Sequence, residues 1–437
     1  MLKRLMLSAA VITAVGCSLF EEGEEILPGE RIPVRATIEE RLTPANIRAQ
    51  IGALPAPIAN SEWTQRNGDP THALGHLAAN SSLSPIWTAD IGSGEGGDSV
   101  LTSAPVVAGG QVFTLDAFSR VSAFSASGGA RNWATSVAPE GESGDDGFGG
   151  GLAFENGVLF VTTGFGETIA LDANNGSELW RQRVGAPIRS APSVANGIVI
   201  SIARDNTAYA YQANDGTVRW RVRGATSGAG VLGGASAAIS PGGTAVIPFG
   251  SGEVIAVNAA SGRRSWSDVV SGGRRGLARS AISDISADPV IQGVAVIAGN
   301  SSGLLVGIDG RSGRRGWSRE FGAMGPVWSA GSTLFLVTDD AQLKRLSAQD
   351  GSTIWSTTLP QYEDPDDLEG VIGYGGPVLA GGRLLVTSPQ GSLISFDPQT
   401  GEEAGRVQIS GLTGIGPVVA GGIVYVLTDG GSLIALR

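Results

Sequence analysis

Short apolar runs alternate with glycine-rich turns along most of this chain, and the alternation itself recurs. The clearest copy has the apolar run Val158-Leu159-Phe160-Val161, then a tight turn, then Ala170-Leu171-Asp172-Ala173-Asn174-Asn175-Gly176-Ser177-Glu178-Leu179-Trp180. Related endings lie at Trp133, Trp220, Trp266, Trp317 and Trp355, with a degenerate one at Gly405-Arg406. A spacing of about forty to fifty residues is the mark of a repeat architecture. Copies begin near Ser103, Gly150, Ser190, Gly234, Asp288, Gly325, Gly376 and Gly416. Each opens on a strand of small residues, such as Ala191-Pro192-Ser193-Val194, followed by a turn such as Ala195-Asn196-Gly197. An apolar strand, a second turn and a third strand come next, and the fourth strand is expected to start at the Trp. Gly and Asn between β-rich runs are hairpin chemistry, since they adopt positive φ at little cost. Four antiparallel strands per repeat predict the blade of a β-propeller.

The eighth copy stops at Arg437, after its third strand, while Ser84-Pro85-Ile86-Trp87-Thr88-Ala89-Asp90-Ile91 reads as a fourth strand without a blade. Joining the two completes eight blades and leaves no open edge for aggregation. The predicted fold is therefore all-β: an eight-bladed propeller of four-stranded antiparallel blades, closed by an N-terminal strand that completes the last blade. The periodic Trp residues are expected to seal each blade against the next. Burying one such ring removes about 150–250 Å² from water, an upper bound of roughly 4–6 kcal/mol. Trp63 and Trp328 fall off the pattern and are assigned to local packing.

Composition agrees with this pattern. Among 437 residues, 67 are Gly and only 16% are charged, while 42% are apolar, which suits many short strands joined by turns. The net charge of −11 excludes sequence-independent nucleic-acid binding, which requires a basic surface. The first residues stand apart. Lys3 and Arg4 precede an apolar run from Leu5 to Val15, and Gly16-Cys17 follows, which reads as a secretory signal too short to span a membrane. Losing Lys3 and Arg4 with it would lower the charge by two, to −13. Beyond it, Glu21-Glu22-Gly23-Glu24-Glu25 suits a solvated tether, and Pro28, Pro33, Pro44, Pro55 and Pro57 discourage regular pairing. A short helix is possible within Thr37 to Gln50. The expected divisions are 1–16, signal peptide; 17–83, Pro-rich N-terminal segment; and 84–437, propeller.

Candidate chemistry is sparse. His72 and His76, the two histidines, precede the repeats, so no His-based acid–base or zinc site is expected within the propeller. Cys17 is the one cysteine, so no disulfide is expected within the chain. Asp172 and Asp215 recur by position and read as turn formers. The interval from Trp266 to Trp317 is the longest between tagged blades and holds Arg274, Arg275 and Arg279, a local positive patch suited to a carboxylate-bearing partner. The loop Gln361 to Glu369 carries five acids; Pro365 interrupts it and calcium-loop spacing is missing, so a solvated or partner-facing loop is expected. Glu140 to Asp146, also acidic and Gly-rich, reads the same way.

Two resemblances sharpen the reading. The cadence Ala-Leu-Asp-x-x-x-Gly-x-x-x-Trp resembles the tryptophan-docking repeat of quinoprotein dehydrogenases, which bind pyrroloquinoline quinone. That resemblance implies a vicinal cysteine pair, a calcium and a catalytic Asp. This chain departs from it, with Cys17 alone in the leader and no Cys-x-x-Cys-His stretch. No cofactor, metal or catalytic residue is therefore expected.

Ala14-Val15-Gly16-Cys17 looks like a bacterial lipobox, which implies acylation at Cys17, and Ser18 in the following position implies outer-membrane sorting. Lipobox, acidic body and eight blades together resemble the BamB family of propeller lipoproteins of the outer-membrane β-barrel assembly machinery. This implies a non-enzymatic scaffold on the periplasmic face of the outer membrane, binding a POTRA domain of the barrel-forming subunit and possibly nascent outer-membrane proteins. Two family stretches fall by register on Ala229-Gly230-Val231-Leu232-Gly233 and Ile282-Ser283-Asp284-Ile285-Ser286. They nominate Val231, Leu232 and Asp284 as partner-binding residues beside Arg274, Arg275 and Arg279. Leu232 stands where the family has Arg, and Ser286 replaces an acid. The alternative is a propeller that binds a small ligand or polysaccharide in its axial channel, or a quinoprotein dehydrogenase.

Overall fold

Antiparallel pairing organises the described residues into eight sheets of four strands, as the periodicity predicts. The computed structural model describes residues 53–97, 99–226, 234–270 and 284–437, all of them within one compact unit. The leader, Cys17 and the Thr37–Gln50 helix lie outside the described residues, as do Val231, Leu232, Arg274, Arg275 and Arg279. Blades 1 to 8 open with Val106–Ala108, Gly150–Glu155, Ser193–Ala195, Ala238–Ile239, Ala287–Gln292, Trp328–Ala330, Gly375–Ala380 and Val418–Ala420. Neighbouring blades touch mainly through these first strands.

The last blade closes as expected. Pro85–Asp90 pairs antiparallel with Ser432–Leu436, Trp87 opposite Ala435 and Asp90 opposite Ser432. Ser84 and Arg437 extend the pairing by exchanging backbone hydrogen bonds of 3.1 and 2.9 Å.

The repeated cadence has a physical reading. In blades 1 to 7 the fourth strand begins two residues before the Trp position and bulges there, for instance between Ala170↔Trp180 and Leu171↔Glu178. The opposing residue is usually small, as Ala170, Ala210 and Ala256 are, which leaves room for the ring. Each indole then reaches the next blade and donates to the turn between its third and fourth strands: Trp180 to Ala213 O at 2.8 Å, Trp220 to Ala259 O at 2.7 Å, Trp266 to Gly310 O at 2.7 Å. The Gly of that turn must be Gly for two reasons. Gly262 has φ +69°, and a Cβ there would stand 2.6 Å from Trp220 Cγ. Asp172 and Asp215 accept backbone N–H groups of these turns at 2.8 and 2.9 Å, as turn formers should.

Blade 7 has Gly405 in the Trp position, opposite Ser395. The reason lies in the closure. The third and fourth strands of blade 8 come from opposite ends of the chain, so the turn onto which a Trp would dock does not exist.

Residues 53–83 make a circuit of one end of the ring. Asn60 meets blade 8, donating to Val419 O at 2.6 Å and accepting from Gly421 N at 2.7 Å. Trp63 pairs with Val107 of blade 1, and Thr64 O accepts from Phe154 N of blade 2 at 2.7 Å. The buried Gln65 amide imitates a β-bridge to Val194 of blade 3, donating at 3.1 Å and accepting at 3.0 Å. Pro70 O accepts from Ile239 N of blade 4, and Thr71 O from Ile291 N of blade 5. Gly75 O accepts from the Trp328 indole of blade 6 at 2.7 Å, and Leu77 pairs in parallel with Ala380 of blade 7. The segment thus plugs the axis. Trp63 and Trp328, off the repeat pattern, stack on one another at 5.9 Å as its apolar centre.

Candidate partner-binding face

Strands alternate in direction, so each blade presents its first-to-second turns at one end of the ring and its inter-blade connections at the other. The plug sits at the first end, where Glu62 accepts from Gly109 N at 3.2 Å and His76 Nε2 accepts from Gly382 N at 3.0 Å. The opposite end is left for the connections, which are anchored from below. Asp116 accepts from Ser93 N at 2.9 Å, Asn206 donates to Ala225 O at 2.7 Å, Asn300 donates to Val270 O at 3.0 Å, and Asp339 accepts from Gly322 N at 2.8 Å. All four are buried residues at second-to-third turns, where short polar side chains compete well for loop backbone. Loops held at both ends on a rigid scaffold are a common place for binding.

On the axis, between this face and the plug, lies a cavity of about 550 Å³ whose walls include Leu101, Met324, Tyr374 and Ile415. Trp63, Arg66 and Asn67 contribute from the plug. Arg66 Nε donates to Asp288 at 2.7 Å, and Asn67 Nδ2 donates to the same carboxylate oxygen at 2.6 Å. The other oxygen accepts from Ser236 N at 2.6 Å. Asp288 is fully buried, so these three donors replace its water. Glu95 also faces the cavity, and burial, with the nearby Asp429 charge, pushes its carboxyl above the ordinary range against a hydrogen bond from the Leu101 backbone. Burial raises the Tyr374 phenol to about 12, and it donates to Pro360 O at 2.8 Å.

Of the six residues nominated from sequence, Asp284 is the one described, and it is 5% exposed. A Cβ on Gly250 would lie 3.5 Å from its carboxylate, which places that group against blade 4 rather than in solvent. The ends of both nominated connections are well held. Gly234 O accepts from Arg66 Nη1 at 3.1 Å, and Ser286 Oγ donates to Ala323 O at 2.8 Å.

Sequence reasoning missed the plug as part of the ring and the acidic loop as structure. Tyr362–Asp364 and Glu369–Val371 pair into a hairpin standing on the blade 6–7 connection. The signals for the plug were Trp63, off the repeat, and His72 and His76 in a Pro-rich stretch, apolar and aromatic weight that a solvated tether has no reason to carry.

A profile of the family described as "Outer membrane protein assembly factor BamB" matches residues 117–357 and 361–437. An outer membrane protein assembly factor BamB of Shewanella oneidensis is 26% identical over 347 residues, 78% of this chain and 85% of that protein. Among solved structures, BamB from Moraxella catarrhalis aligns with TM-score 0.66 at 19% identity, over 82% of this chain and 98% of its own. A europium-containing methanol dehydrogenase aligns with TM-score 0.67 at 15% identity, over 84% and 89%, which shows the shared propeller fold. With the profile covering well over half of the residues, this chain belongs to the BamB family of outer membrane protein assembly factors.

Proposed function

We propose that this chain is a non-enzymatic scaffold for assembling β-barrel proteins into the outer membrane. It is held at the periplasmic face by acylated Cys17 and binds a POTRA domain of the barrel-forming subunit. The observation that carries the reading is the family match together with a face whose connections are anchored from below while the other end of the ring is plugged by the chain itself. Val231 and Leu232 fall in sequence between blades 3 and 4, and Arg274, Arg275 and Arg279 between blades 4 and 5, so the two stretches flank one blade along the chain. Asp284, at the described end of the second connection, is buried with its carboxylate against Gly250 of blade 4. Arg side chains there suit carboxylates of the partner.

The axial cavity does not fit a quinone with its calcium. Glu95 is the one carboxylate among its lining residues, and among the described residues no three His, Cys, Asp or Glu side chains come together. Its aromatic residues, Trp63 and Tyr374, are themselves buried and offer no stacking platform for a sugar.

Titration of the purified mature chain with a recombinant periplasmic POTRA array tests the reading. Saturable binding weakened about tenfold by Arg274→Glu with Arg275→Glu supports it, in line with charge reversal at a partner-facing pair. Binding that ignores both substitutions moves the surface elsewhere, and no binding to any POTRA domain overturns the reading.

A further inference from the structure

The hairpin Tyr362–Val371 has features that neither the propeller nor the connections at blade 4 account for. Its base is fixed by the core residues Leu359, Ile372 and Tyr374, while every residue from Glu363 to Val371 is exposed. Two large apolar side chains are held out with it, Leu368 at 64% and Val371 at 59%, and Met324, 41% exposed, lines a small cleft together with Val371. Leu368 does so at φ +56°, a conformation costly for a bulky residue, where Gly or Asn would turn the chain with less strain. Folding alone gives no reason to present leucine there.

Charge adds a second constraint. Glu363, Asp364, Asp366, Asp367 and Glu369 all project from the hairpin, and no Lys, Arg or His occurs between Leu359 and Gly382. None of the five takes part in an ion pair among the described residues. The Asp364 carboxylate caps the turn, accepting from Asp366 N and Asp367 N at 3.0 and 3.2 Å. No three of the carboxylates gather as a metal site would require. What remains is an apolar patch edged by uncompensated negative charge, which is the complement of a basic protein surface with an apolar cleft.

We infer that the blade 6–7 hairpin is a second docking surface, for a basic protein domain that takes Leu368 and Val371 into an apolar cleft while its Lys and Arg side chains meet the five carboxylates. It belongs to the connection between blades 6 and 7, not to either connection that flanks blade 4, so the chain would bridge two partners. The inference is independent of which partner those loops take. A ten-residue hairpin buries less than a standard interface, so the contact is of the transient class and strongly dependent on salt.

The test is photo-crosslinking in cells, with a photoreactive amino acid at position 368 of the full-length chain, at position 274, and at the distant exposed position 179. The inference predicts an adduct at 368 and none at 179. Its cross-linked peptide, read by mass spectrometry, carries net positive charge. In Asp366→Lys with Asp367→Lys the yield falls at least about fivefold, as two reversed rim charges require, while the adduct at 274 stays. Both positions of reversal are exposed, so the fold is kept, and an unchanged melting temperature checks this. No adduct at 368, an adduct to an acidic or neutral surface, or a yield indifferent to the reversal overturns the inference. An adduct to a second copy of this chain does the same.

Discussion

Removing the Asp288 carboxylate should loosen the plug before it harms any blade. In Asp288→Ala, Arg66, Asn67 and Ser236 N lose their common acceptor at 2.7, 2.6 and 2.6 Å. Breaking one side of a buried ion pair costs about 3–5 kcal/mol. Arg66 is 28% exposed toward the cavity and regains some water, so the low end, about 3 kcal/mol, applies. With unfolding entropy of about 2.1 cal/mol/K per residue over roughly 385 residues, this is a drop of about 4 °C in melting temperature. Arg66→Met leaves Asp288 with two of its donors and should cost less, about 1–2 kcal/mol. Scanning calorimetry measures the melting. Limited trypsin digestion adds a local reading, since Arg66 is itself a cleavage site. The variant should be cut after Arg66 in the folded state, while the wild type resists. A shift below about 1 °C with no new cleavage would refute the claim that this carboxylate holds the plug.

Trp220→Ala should cost about 3–5 kcal/mol, because the ring is buried and its indole loses the Ala259 carbonyl; chemical denaturation checks it. Gly405→Trp should add no stability in the same experiment, since blade 8 offers no turn to receive the ring; a gain of more than 1 kcal/mol, about the worth of a docked aromatic contact, would contradict the account of the closure. Glu95→Gln should raise the melting temperature at pH 7. The folded carboxyl has a raised pKa, so its stabilising contribution is full below the ordinary value of 4.5 and is lost as pH rises through the folded value. At pH 3 variant and wild type should melt together; a variant that melts lower at pH 7 would show that the charge is stabilising there.

The ring was legible because its signals are periodic. Gly176, Gly216 and Gly262 are required by turn geometry and by a Trp of the previous blade, so a single constraint left several marks in the chain. Closure was legible because Trp87 matched those marks from the wrong end of the sequence. The plug left no periodic mark: its side chains reach a different partner in each blade, as Gln65 and His76 do, and its turns rely on Asn67 and His72 in the left-handed region. Gln65 standing in for a strand has no sequence signature at all. The register that marked Asp284 found a residue whose carboxylate lies against Gly250 rather than in solvent. Similarity of position carries no information about burial. The hairpin was hidden for a related reason, since acids and a Pro argue against strands while Tyr362 and Val371 still pair.

The most direct test of the assembly role is purification of the membrane-tethered chain from gently solubilised outer membranes. The account predicts that a barrel protein with periplasmic POTRA domains copurifies with the wild-type chain and is lost in the Arg274→Glu, Arg275→Glu variant. Recovery of the chain from its membrane without any barrel protein would contradict it.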